Sequence, residues 1–119
     1  LEPKAPGLGT ARTLDVLWTV RSGAVVVSIS MKTTVGLVQM RCTDDPQKNQ
    51  AAAEKGIREA AKRGARIVCL PELYRGHYFC QTEDHAHFAR AEAIPGPSTR
   101  ALGALAKSLK IVIVGSLFE

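Results

Sequence analysis

The feature that most constrains this chain is the apolar run Ile67-Val68-Cys69-Leu70, closed by Pro71 and Glu72. A short run rich in β-branched residues is the pattern of a buried strand. Proline has no N–H to give to a ladder, so the strand ends at Pro71 or lies on a sheet edge. Glu72 is then a carboxylate at the carboxyl end of a strand, where ligands collect in open α/β sheets. The loop behind it holds Tyr74, Arg75, His77, Tyr78, Phe79 and Cys80. Aromatic walls desolvate a carboxyl, raise its pKa and suit it to proton transfer. A solvated or ion-paired loop acid is the other reading of Glu72.

The flanking sequence predicts α/β architecture. Thr34 to Met40 reads as a first buried strand. Asp45-Pro46 opens a helix, with Asp45 as N-cap and Pro46 in the first helical position. Ala53, Ile57, Ala60 and Ala61 form its apolar stripe. Glu54–Arg58 and Glu59–Arg63 stand at i, i+4, and Gly64 is the expected left-handed cap. The strand Ile67 to Leu70 follows, a β-α-β order that predicts a parallel pair with a right-handed crossover. A short helix is expected from Thr82 to about Arg90. After Pro95-Gly96-Pro97, Ser98 is the expected cap of a helix burying Leu102, Leu105, Ala106 and Leu109. Lys107 and Lys110 suit its last turn. Ile111 to Val114 is the third strand. Strands this apolar expect cover on both faces, so a further strand and a covering layer are anticipated.

At 119 residues the chain is one domain at most. The net charge of +5 is spread along the sequence, which favours a solvated surface over a nucleic-acid patch. The three cysteines, Cys42, Cys69 and Cys80, lack paired spacing and predict reduced thiols in a cytoplasmic protein. No apolar run reaches membrane-span length. His77, Cys80, His85 and His87 form an H-x2-C-x4-H-x-H cluster that fits no standard zinc spacing. Where a nucleotide binder carries a glycine-rich loop after its first strand, this chain has Arg41-Cys42-Thr43-Asp44-Asp45-Pro46.

Residues 1–30 are expected to be an upstream extension, disordered or non-native, with residues 31–119 as the domain proper. Leu1 to Thr13 holds Pro3, Pro6, Gly7 and Gly9 without periodicity. Asp15 and Arg21 interrupt the apolar stretch that follows, against a signal peptide. The alternative is a genuine extension with an edge strand at Val25 to Ile29.

Ile67 to Asp84, "IVCLPELYRGHYFCQTED", resembles the segment around the catalytic glutamate of the carbon–nitrogen hydrolase (nitrilase) superfamily. Tyr78 to Asp84 is most similar to the branch that hydrolyses N-carbamoylputrescine. "TVGLVQM" (Thr34 to Met40) resembles the family's first strand, and Ala91 to Glu119 its next helix and strand. The resemblance implies the amino-terminal part of a four-layer α-β-β-α sandwich. It implies that Glu72 is the general base, taking the proton of a cysteine thiol that attacks a carbamoyl or amide carbon, with a lysine stabilising the oxyanion. Ammonia leaves and water hydrolyses the thioester. That lysine and that cysteine belong to later segments of the family, beyond Glu119, so this chain alone is expected to be inactive. Tyr78 is implied to touch substrate, with loop packing as the competing reading. No metal and no cofactor are implied. The implied partners are a small carbamoyl-amine substrate and further copies of the full-length protein. "LPEL" departs from the glutamine-before-glutamate form of that branch, which leaves β-ureido acids, ω-amides or nitriles as alternative substrates. A non-enzymatic βαβ binding module is the alternative outside the family.

Overall fold

The computed structural model describes residues 12–22, 25–81 and 83–119, with residues 12–22 and 25–31 given as backbone only. The elements are β1 (Arg12–Ser22), β2 (Val25–Leu37), α1 (Pro46–Lys62), β3 (Ile67–Cys69), a 3-10 turn (His85–Arg90), α2 (Pro97–Leu109) and β4 (Val112–Val114). They form one α/β unit around a sheet of order β1-β2-β3-β4.

Strands β2, β3 and β4 run parallel, as the β-α-β order predicts. Val35 pairs with Ile67 and Ile67 with Val112; Leu37 pairs with Cys69 and Cys69 with Val114. Side chains alternate across a strand. One row, Gly36, Val68 and Ile113, therefore meets the helices, and Val68 is fully buried there. The core adds Val38, Ala53, Ile57, Ala60, Ala65, Leu102 and Leu105. The packing of Ala53, Ile57 and Ala60 follows the stripe read from the sequence, with Ala61 half-buried.

The opposite row is apolar and open. Leu37, Val112 and Val114 are 54%, 57% and 52% exposed. Among the described residues no element covers this face, where the sequence anticipates a further layer.

Residues 12–37 form a long antiparallel hairpin, in register from Arg12 opposite Val35 to Ser22 opposite Val25. Strand β2 spans Val25–Leu37 and includes Met31. The lead expected to be disordered overlaps β1 at Arg12 and Thr13; residues 1–11 lie outside the described residues. Val25 to Ile29, read as an edge strand in the alternative, belongs to β2 and has β1 beyond it on the edge.

Helix α1 starts as expected. Asp45 Oδ1 accepts from the N–H groups of Gln47 and Lys48 at 2.9 and 3.1 Å, and Pro46 fills the first position. Gly64, at φ +90°, turns the chain out. The Glu59–Arg63 pair forms at 2.9 Å. Glu54 instead accepts from Gln50 Nε2 at 3.0 Å, because Gln50 lies one turn before it on the same side of α1.

Two helix starts differ from the expectation, and the strand expected at Thr34 to Met40 ends at Leu37. The helix expected from Thr82 is a 3-10 turn capped by Asp84, whose Oδ1 accepts from the Ala86 N–H at 2.9 Å; Thr82 lies outside the described residues. Helix α2 is capped at Gly96, with Pro97 first and Ser98 already inside its first turn. The Thr99 hydroxyl takes up the Gly96 N–H at 2.6 Å, and Glu92 Oε2 takes up the Ser98 N–H at 3.0 Å. Those two acceptors serve the Gly96 and Ser98 N–H groups, and the Ser98 hydroxyl turns to another partner.

Candidate functional site

Strand β3 ends before Pro71, as proline chemistry requires, and the Leu70 N–H still reaches the Val114 carbonyl at 2.9 Å. Glu72 is exposed at the carboxyl end of this central strand. The next residue, Leu73, has φ +49°, a left-handed conformation that bulky residues rarely hold without support. The Gly76 N–H closes the turn on the Leu73 carbonyl at 3.2 Å.

Support comes from the two residues that follow. Tyr74 is fully buried, and its hydroxyl donates to Gln50 Oε1 on α1 at 2.7 Å. Arg75 Nη1 donates to the buried Ser98 Oγ on α2 at 2.8 Å. Arg75 is thus tied to α2 through Ser98. Burial raises the Tyr74 phenol above its ordinary pKa. Burial alone would also raise the Glu92 carboxyl. Hydrogen bonds from the Ser98 hydroxyl and N–H, with Arg75 and Arg100 nearby, outweigh it and hold the carboxyl below the usual range.

Tyr78 is half-exposed, at 48%, and close enough to Glu72 for the carboxylate to raise its phenol pKa, with Cys80 adding to the effect. Leu73, Arg75 and Phe79 line a cavity of about 340 Å³ with Glu92, Pro97 and Phe118; neither Glu72 nor Tyr78 lines it. The Glu72 carboxylate is therefore not part of that cavity's wall.

The thiols occupy three settings. Cys42 Sγ donates to the Tyr74 carbonyl at 3.4 Å, and burial raises its pKa, which disfavours the thiolate. Cys69 is half-buried in β3, and Cys80 is exposed. Two histidines of the His/Cys cluster pack on aromatic rings. The His87 ring lies 4.7 Å from that of Phe79, and the His85 ring 5.8 Å from that of Phe88. Among the described residues no three His, Cys, Asp or Glu side chains converge as metal ligands do.

Gln50, Ser98 and Glu92 are the residues that sequence reading missed. Gln50 had a signal: it precedes Ala53 and Ile57 on the stripe of α1, and a polar residue there needs a buried partner. Ser98 and Glu92 had none, since their pairing depends on how the chain turns between them.

The arrangement can accept and release a proton at a carboxylate fixed by a strand end, beside a phenol. Comparison with known proteins puts it in context. The carbon–nitrogen hydrolase family profile matches residues 34–119. The chain belongs to the carbon–nitrogen hydrolase family. It is 44% identical over 87 residues to an N-carbamoylputrescine amidase of Solanum lycopersicum, covering 72% of this chain and 29% of that protein. It is 45% identical over 89 residues to an N-carbamoylputrescine amidase of Oryza sativa subsp. japonica, covering 74% of this chain and 30% of that protein. A crystal structure of a carbon–nitrogen hydrolase from Helicobacter pylori G27 superposes with a TM-score of 0.65 at 28% identity, covering 71% of this chain and 30% of that one. The chain thus spans under a third of the length of these relatives. Among its described residues no helix is long and apolar enough to cross a membrane.

Proposed function

We propose that this chain contributes the general base, Glu72, of a thiol-dependent amidohydrolase that cleaves N-carbamoylputrescine to putrescine, carbon dioxide and ammonia. The observation that carries the reading is a carboxylate at the end of the central parallel strand, in a chain of this family, followed by a turn anchored to both helices. In this reading Glu72 takes the proton of a cysteine thiol, the thiolate attacks the carbamoyl carbon, and a lysine holds the developing oxyanion. Ammonia departs, and water, deprotonated by Glu72, releases the remaining group from sulfur. Both the cysteine and the lysine come from parts of the protein other than Leu1–Glu119, and the chain alone is inactive. Cys42 is not assigned as the nucleophile: burial raises its thiol pKa, which disfavours the thiolate.

Tyr78 stands beside Glu72 and is half-exposed, which suits a side chain that lines a substrate path. The substrate class is a small amide or carbamoyl amine, and full-length copies assemble as a homo-oligomer. The 44% and 45% identities to carbamoylputrescine amidases favour that substrate over β-ureido acids and ω-amides.

The test is ammonia release by the full-length protein from a panel of N-carbamoylputrescine, a β-ureido acid and an ω-amide. The expected result is fastest turnover of N-carbamoylputrescine, with Glu72→Gln losing on the order of 10²–10⁴ in rate. Tyr78→Ala is expected to raise KM. Undiminished turnover in Glu72→Gln would overturn the role of the base. Preference for an ω-amide would move the substrate, and inertness toward every amide would favour the binding-module alternative.

A further inference from the structure

Glu72 is exposed, so its place is set by the backbone on either side. Upstream, β3 fixes it: Leu70 is still hydrogen-bonded to β4. Downstream, the chain enters a left-handed conformation at Leu73 that the leucine side chain disfavours. Such a conformation persists only where the surroundings over-determine it. Three contacts do so within two residues. The Tyr74 hydroxyl reaches Gln50 of α1, the Tyr74 carbonyl receives the Cys42 thiol, and Arg75 reaches Ser98 of α2. Both anchors are themselves fixed. Gln50 is held by Glu54 through its amide, and Ser98 by Glu92 through its N–H. Tyr74 and Ser98 are fully buried, so these bonds are shielded from water.

We propose that Tyr74 and Arg75 are positioning residues for Glu72, holding the turn that carries it against α1 and α2 respectively. The proposal rests on the reading of Glu72 as the base. It assigns Gln50 and Ser98 as the fixed points of the clamp. A carboxylate so held keeps a constant approach to whatever it deprotonates, and loss of about an ångström there costs about 10²-fold in rate.

The turn is readable without catalysis. Tyr78 feels Glu72, so its phenol titration reports their separation, and the Gly76 amide reports closure of the turn on Leu73. The experiment compares wild type, Tyr74→Phe, Arg75→Gln, and the double variant Tyr74→Phe/Gln50→Leu. It follows ring-labelled tyrosine by NMR and amide exchange at neutral pH. Tyr74→Phe and Arg75→Gln are expected to speed Gly76 exchange about tenfold or more, beyond any change in the core strands, and to bring the Tyr78 midpoint down toward that of free tyrosine. The double variant leaves no orphaned partner, so global stability recovers. The turn readouts are expected to stay displaced, because no directed bond replaces the lost one. In the full-length protein Tyr74→Phe is expected to lower kcat about 10- to 100-fold with KM nearly unchanged. Gly76 exchange unchanged in both single variants would overturn the proposal. So would recovery of the turn readouts together with stability in the double variant. Failure of the hydrolase reading is separable: it shows as full turnover in Glu72→Gln, while the faster Gly76 exchange expected of Tyr74→Phe and Arg75→Gln does not depend on it.

Discussion

Gly36 of β2 lies against Ala60 of α1 so closely that a Cβ at position 36 would stand 2.8 Å from the Ala60 Cβ and 3.1 Å from that of Ala65. Two methyl groups on rigid backbone have no rotamer in which to retreat. Gly36→Ala is therefore expected to destabilise the chain by about 1–3 kcal/mol through overpacking. A urea titration measures it; a midpoint equal to wild type would show that the helix can lift off the sheet without cost.

Gly103 presents the opposite case. It is exposed in the middle of α2, and an added Cβ meets nothing within 4 Å. Gly103→Ala is expected to stabilise by about 0.5–1 kcal/mol, since alanine loses less backbone entropy in a helix. The same titration checks it, and a lowered midpoint would refute the exposed position.

Glu92 makes stability depend on acid. Its carboxyl titrates below the unfolded value of 4.5 in the folded chain. A depressed folded pKa stabilises the fold fully above the unfolded value, and the contribution is lost as pH falls through the lower folded midpoint. Wild type is expected to be more stable than Glu92→Gln at neutral pH, with the gap narrowing below pH 4.5. A gap that stays constant in urea titrations from neutral to strongly acid pH would rule this out.

The open sheet face is expected to bind an apolar dye. Leu37, Val112 and Val114 are each more than half exposed, on neighbouring strands. Val112→Thr and Val114→Thr keep β-branching while adding hydroxyls. Together they are expected to reduce dye fluorescence and to change stability by no more than about 0.5 kcal/mol. Undiminished fluorescence would mean that the dye sits elsewhere.

The order β-α-β, the start of α1 at Asp45-Pro46 and the stop at Pro71 were legible in the sequence, because each depends on residues a few positions apart. Glu72 was legible for the same reason: a proline after an apolar run places the next residue at a strand end wherever the strand lies. Periodicity likewise named Ala53, Ile57, Leu102 and Leu105 as core, since a helix buries one face whatever covers it. Only the tertiary structure decided the partners. Tyr74 finds Gln50 at a separation of 24 residues and Arg75 finds Ser98 at 23, distances at which local patterns carry no information. Ser98 was read as a cap because serine serves well there. It became a buried anchor because Gly96, Pro97 and Glu92 satisfied the helix start first. Pairing across the sheet was also beyond the sequence: β1 joins β2 by backbone hydrogen bonds, which are alike for every residue and leave no mark in the residue pattern.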